Sequence, residues 1–178
     1  MARADLFIDG QNFSIACRQL IGGYVDVKAF ARLIAKKCGH ELGATYFYDS
    51  PSPTAHIQRN KQVFWQHLRD TPGVVLQLGR TESNYDGTHR EKECDVMLAV
   101  DMVVRGYEKK YDRAILVGAD TDHAHAVKAV QKIGLEVGWA YLPTQDHIDR
   151  LKQLIPAPMR MELSEKILRP VRQQSHPY

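Results

Sequence analysis

The 178 residues contain no run approaching the roughly 20 apolar positions that a membrane-spanning helix needs. The opening MARADLFIDG has no apolar signal core before charge interrupts it, which predicts a cytosolic protein. Cysteine is scarce: Cys17, Cys38 and Cys94 lie far apart with no CxxC pair. That spacing excludes a disulfide framework and a thiolate zinc site, and predicts reduced, partly buried thiols. No internal repeat or low-complexity tract is visible, so solenoid and compositionally biased classes drop out. Excess charge of one sign is missing too, at +3 overall, although a pI near 8.7 and eight histidines leave room for an anionic partner.

What is present is ordinary globular material, 44% hydrophobic and 25% charged, enough for one core of single-domain size. Leu6-Phe7-Ile8 reads as a buried strand ending at Asp9-Gly10, followed by helical spacing from Asn12 to Leu20. Residues 26–37 place Val27, Phe30, Leu33 and Ile34 on one helical face, with Asp26 as the cap. Further strands are predicted at 44–48, 73–78, 114–118 and 135–141, and further helices at 55–69, 95–104, 123–133 and 145–154. In the helix at 55–69 the buried side is expected to be Ile57, Val63, Phe64 and Leu68. Between them, residues 79–91 lose apolar periodicity and read as a long exposed loop. Alternation of strand and helix predicts a mainly parallel sheet covered by helices on both faces. After Pro156 the pattern weakens, so the main domain is expected over 1–155, with 156–178 an extension whose last residues are mobile.

Ligands of such a sheet bind beyond the carboxyl ends of its strands, and acids collect there. Asp9 ends the first strand, Asp120 and Asp122 follow the strand at 114–118, and Asp95 starts a helix after the polar loop. Asn12 lies in the first helical turn after Asp9, able to orient a water or a phosphate. Any one of these aspartates could simply cap a helix, but a doubled pair exceeds what a cap requires. Carboxylates converging from three sequence positions repel unless a divalent cation neutralises them, and oxygen-only ligands select Mg²⁺ or Mn²⁺ over zinc. Asp101 lies about 120° around the helix from Asp95, at roughly 3.6 residues per turn, so it stands behind the site or partners a buried base.

His123 and His125 sit two residues apart on a helix and point about 200° from each other, so they do not share one zinc ion. His123 is expected to touch the scissile phosphate or cover the site. Arg80, Arg90 and Lys92 are candidates for phosphate contacts, and Tyr48, Tyr85 and His89 for stacking on splayed bases.

Three segments, FIDGQNF (7–13), KECDVMLAVDMV (92–103) and ILVGADTDHAHAVKAVQKIGLEVGWAY (115–141), resemble the NYN domain family over about residues 5–142. That family is similar in fold to the PIN nucleases and includes a LabA-like group. The resemblance implies a PIN-like three-layer α/β/α sandwich with an acidic, Mg²⁺- or Mn²⁺-dependent site that hydrolyses RNA phosphodiesters. Matched by motif, Asp9 and Asn12 belong to the first segment, Lys92, Asp95 and Asp101 to the second, and Asp120 and Asp122 to the third. The implied chemistry is attack by a metal-activated water, held or deprotonated by Asp120 or Asp122, leaving 5′-phosphate and 3′-hydroxyl ends. The family's usual Ser-Gly-Asp-Ser-Asp-Phe reads Gly118-Ala119-Asp120-Thr121-Asp122-His123 here, keeping both acids and losing a hydroxyl and an aromatic. The rival reading is a non-catalytic RNA- or protein-binding regulator that retains the acidic pocket. A phospho-accepting receiver domain is set aside, because the strand at 135–141 does not end in lysine. Single-stranded RNA is the expected partner, with no membrane, and a homodimer is compatible with the fold.

Overall fold

The computed structural model describes residues 2–83, 89–142 and 149–173. In chain order the elements are β1 (Arg3–Asp9), α1 (Gly10–Ile21), α2 (Val27–Lys37), β2 (Glu41–Asp49), α3 (Ala55–Asp70) and β3 (Val74–Leu78). They continue as β4 (Arg80–Ser83), β5 (His89–Lys92), α4 (Cys94–Tyr107), β6 (Arg113–Val117) and α5 (Ala124–Lys132). The last are β7 (Glu136–Tyr141), α6 (Asp149–Leu154), β8 (Arg160–Glu162) and α7 (Glu165–Leu168). Expected residues 145–148 of the last predicted helix, and the last residues of the tail, lie outside the described ones.

Six strands form one sheet in the order β3-β2-β1-β6-β7-β8, every pair parallel. Parallel strands are buried on both faces, which is why β6 has no exposed position and β1 only one. Alternate β1 residues feed two cores. Leu6 and Ile8 pack with Phe13, Phe30, Ile34 and Leu168, under α1, α2 and α7. Phe7 packs on the other side with Leu98, Met102, Val127 and Leu151, under α4, α5 and α6. The result is the expected three-layer α/β/α sandwich.

Several local expectations need correction. Within the loop expected at 79–91, the described residues form two antiparallel strands, β4 opposing β5 with Arg80 facing Lys92 and Thr81 facing Glu91; these strands are too polar to carry an apolar period. Strand β8, beyond the point where the sequence pattern weakens, is the sixth strand of the sheet, and Leu163 beside it is buried. On α3 the buried residues are Trp65 and Leu68, while Ile57 and Val63 are exposed. Trp65 turns inward because its indole N–H donates to Asp49 Oδ2 at 2.8 Å, a polar attachment that apolar spacing does not register.

Two buried acids brace the frame. Asp49 accepts from Lys61 Nζ at 2.6 Å, from the Ser50 amide at 2.9 Å and from Trp65, so its charge is matched. Asp5, fully buried in β1, accepts from the Ala44 amide at 2.8 Å and faces Arg105 Nε of α4 at 3.8 Å. The Arg105 guanidinium also lies over the Tyr46 ring, 4.4 Å from its centroid. Two residue steps further along β2, the Tyr48 hydroxyl donates to Asp101 Oδ2 at 2.9 Å.

Burial raises the Asp5 carboxyl above 3.8, while the Ala44 amide and the charges of Arg3 and Arg105 counter it. The folded protein therefore holds this proton more tightly than the unfolded chain. Stability from this group is complete below about 3.8 and is lost as pH rises through the folded value. Arg105→Met removes a countering charge and moves that value further up. The variant is expected to lose roughly 2 kcal/mol at pH 7 and to converge on wild type near pH 4, read from denaturant melts at both values. A loss equal at the two pH values would show that packing, and not the ion pair, is what Arg105 contributes.

Candidate metal centre

The strand order reverses between β1 and β6: from β1 the chain adds β2 and β3 on one side, then returns to place β6 and β7 on the other. A crevice opens beyond the carboxyl ends of strands at such a switch point. Asp9 is the last residue of β1, and Val117, the last of β6, leads directly to Gly118 and Asp120. Chain reversal thus brings the first and third sequence segments together. Asp95 arrives from outside the sheet, in the first turn of α4, where the helix dipole favours an anion.

Local geometry around Asp9 leaves little freedom. The residue after it opens α1, and a Cβ at Gly10 would lie 2.5 Å from both the Phe47 ring and the Tyr48 carbonyl oxygen. Only glycine lets the helix start this close to β2. On the other side a Cβ on Gly118, at φ 152°, would lie 3.1 Å from the Asp9 Cβ. Gly118 is held there by its carbonyl, which accepts from Trp139 Nε1 at 2.6 Å, and by its amide, which donates to Ala140 at 3.1 Å. Asp9 caps α1 by accepting from the Asn12 amide at 3.0 Å, and its second oxygen accepts from the Asn12 side chain. Asn12 therefore orients Asp9.

Asp9, Asp95 and His123 each offer a ligand atom within 4.8 Å of the others. Asp9 is 8% exposed, the Asp95 side chain about half exposed, and His123 fully buried. His123 Nε2 lies 3.7 Å from Asp95 Oδ1, and neither ring nitrogen has a hydrogen-bond partner among the described residues. Leaving such a group unbonded costs about 1–3 kcal/mol, so an imidazole in this position has something left to bind. Burial raises the Asp9 carboxyl above its ordinary value, opposed by its bonds from Asn12. Burial also raises Asp95, opposed by His123 and reinforced by the negative charges of Asp9, Asp120 and Asp122.

The expected four-aspartate cage is thus divided. Asp120 caps the turn of 3₁₀ helix at Thr121–His123, accepting from the Asp122 amide at 2.8 Å, and Asp122 is exposed. Both lie close enough to act on Asp95 electrostatically, but the inner group is Asp9, Asp95 and His123. Capping therefore accounts for part of Asp9 and Asp120 and none of Asp95, whose helix has no side-chain cap bond. His125, facing away, contacts Arg150 at 3.0 Å, so the two histidines do not share an ion. Asp101 stands behind the centre as the partner of Tyr48.

Tyr48 is a correction: it is 1% exposed, with its hydroxyl bonded to Asp101, and offers no face to a base. Arg80 is half-neutralised by Glu93 at 2.8 Å and Glu82 at 3.3 Å, and Lys92 by Glu82 at 3.3 Å. Arg90 is exposed and has no ion-pair partner among the described residues. His89 contacts Ser83 at 3.0 Å, while Tyr85 lies outside the described residues. Glu91, unremarked in the sequence, is close enough for its charge to raise Asp9. Only its place on β5, which polarity concealed, could have flagged it.

A donor set of two carboxylates and an imidazole, brought to a sheet switch point, fits a divalent ion. The family model for the NYN domain matches residues 3–153. The chain belongs to the NYN domain family. That membership makes it one of a nuclease-like group. No curated protein matches it. Among solved structures, a protein of unknown function from Vibrio parahaemolyticus is similar, with a TM-score of 0.62 at 19% identity, over 92% of this chain and 93% of that one. This likeness is one of fold. No helix among the described residues is long and apolar enough to cross a membrane.

If the carboxylates of this centre repel one another without an ion, removing one relieves strain. Asp95→Asn in EDTA at pH 8 is expected to unfold at a higher temperature than wild type, by a few tenths to about 1 kcal/mol. It should also lose most of the stabilisation that added Mn²⁺ gives wild type. Lower stability of the variant in EDTA would show that Asp95 is a structural acid.

Proposed function

We propose that this NYN domain is a ribonuclease, hydrolysing phosphodiester bonds of single-stranded RNA with Mg²⁺ or Mn²⁺ to leave 5′-phosphate and 3′-hydroxyl ends. The observation that carries the reading is the meeting of Asp9, Asp95 and His123 at the sheet's switch point with no Lys or Arg in salt-bridge contact among the described residues. Asp9, Asp95 and His123 would hold the ion, with Asp120 and Asp122 at its edge. A divalent ion there supplies neutralisation of charge on the reacting phosphate and activation of the attacking water. Asn12 keeps Asp9 aimed at the ion, and Asp120 or Asp122 takes the water's proton.

A cleft of about 270 Å³ lies beside this centre, lined by Gln11, Ser14 and Arg18 of α1, by Ser52, and by Thr81, His89 and Glu91 of β4 and β5. Glu91 joins the two, since it lines the cleft and its charge acts on Asp9. Hydroxyls, an amide and Arg18 suit a sugar-phosphate backbone passing the acids, with Arg90 on β5 adding charge and Arg80 and Lys92 a weaker share. Lys61 also lines the cleft but is bonded to Asp49. Three free thiols, Cys17, Cys38 and Cys94, accord with a reducing cytoplasmic location.

End-labelled single-stranded RNA incubated with Mn²⁺, Mg²⁺ or EDTA tests this reading. Cleavage is expected to require the ion and to fall at least about 100-fold in Asp9→Asn. Arg18→Ala and Arg90→Ala should weaken RNA binding and its salt dependence without lowering metal affinity. RNA bound but left intact by wild type would make the protein a non-catalytic RNA-binding regulator. Equal cleavage by wild type and Asp9→Asn would assign the activity elsewhere.

A further inference from the structure

We infer that His123 is a direct nitrogen ligand of the ion, so that this centre selects Mn²⁺, and imidazole-binding ions such as Co²⁺, over Mg²⁺. The inference rests on the metal-centre reading above and narrows it to the metal's identity.

The carboxylates alone would not carry it. The independent observation is His123, a fully buried imidazole with both ring nitrogens unbonded among the described residues. A histidine in a core ordinarily donates one ring N–H to a carbonyl or carboxylate. Here Nε2 approaches Asp95 Oδ1 only to 3.7 Å, beyond a hydrogen bond. Two atoms each bonded about 2.1 Å from one ion, 90–110° apart, stand about 3.0–3.4 Å from each other. The separation found exceeds that of two co-ligands by a few tenths of an ångström, so a small shift brings both atoms onto one ion.

The third donor to the centre is then nitrogen. Asp120 lies outside the group of ligand atoms that stand within 4.8 Å of one another, which is Asp9, Asp95 and His123. Mg²⁺ holds its waters tightly and takes oxygen donors in strict octahedral geometry, whereas the first-row transition ions bind a nitrogen donor with an affinity that rises from Mn²⁺ to Co²⁺. Two carboxylates with one neutral imidazole also carry less negative charge than the four-aspartate cage. That lowers the advantage of a small hard ion whose binding depends on charge.

The test uses the full chain, freed of metal with EDTA and dialysed, and the metal alone as probe. Electron spin-echo spectroscopy of the Mn²⁺ complex of wild type is expected to show ¹⁴N coupling, absent in His123→Phe and in His123→Gln. Mn²⁺ affinity should fall roughly 10- to 100-fold in both variants, while Mg²⁺ affinity, read by competition, changes by less than about threefold. The nitrogen signal is read on wild type, so misfolding of a variant does not blunt it. Mn²⁺ bound without ¹⁴N coupling, with metal-dependent RNA cleavage intact, would overturn the role of His123 and leave the nuclease reading standing. No divalent ion bound at all by wild type would overturn both.

Discussion

The carboxylate of Asp9 sits 8% exposed at the end of β1, with a second acid, Asp95, brought to its side by another element. Placing a buried carboxylate beside a half-exposed one is costly, and several neighbouring residues are arranged around the buried one. Gly10 lets α1 begin against β2, so that the helix's first amides face Asp9. Gly118 keeps the chain leaving β6 clear of it, and Trp139, from the neighbouring strand, holds Gly118 in place.

The other buried acids are held differently. Asp49 is met by Lys61, an indole and an amide, and Asp5 by Arg105 and an amide. Both are frame acids with a Lys or Arg beside them, although the Asp5 oxygen that faces Arg105 makes no hydrogen bond. Asp9 has hydrogen bonds from Asn12 but no Lys or Arg in salt-bridge contact among the described residues, and Asp95 faces only His123. One sheet thus carries acids of two kinds within a few strand residues of each other. What separates them is whether the fold brings its own cation, and that difference is better evidence for an ion site than the number of aspartates.

The strand-helix alternation, the parallel sheet and the positions of Asp9 and Asp95 were legible because each rests on a local pattern: an apolar run, a helical period, an acid at a strand's end. Residues set by long-range polar contacts were not. Tyr48 reads as an available aromatic until Asp101, 53 positions away, is seen to take its hydroxyl. Trp65 looks peripheral until Asp49 claims its indole N–H. The β4–β5 pair and β8 carry too little apolar contrast to declare themselves, since one is a polar two-stranded ribbon and the other only three residues long at the sheet's edge. The inward turn of His123, with Asp120 capping the same turn, was hidden for another reason. Residues 121–123 form a single 3₁₀ turn, and within one turn the sequence does not say which side chain points in.

Helix α4 ties the frame acids to the centre. Arg105, near its end, reaches Asp5, and Asp95, in its first turn, reaches toward Asp9. The ten residues between Asp95 and Arg105 rise about 15 Å along a helix, and the four between Asp5 and Asp9 about 13 Å along a strand. The two spacings agree closely enough that a helix running antiparallel to β1 meets it at both ends. Tyr48 and Asp101 add a third attachment between them, from the adjacent strand. A helix held at one end by an ion pair to a buried acid and at its middle by a partly buried hydrogen bond has little freedom to slide. The separation of Asp95 from Asp9 is thereby set by contacts remote from either, which is how two carboxylates that repel are kept close together.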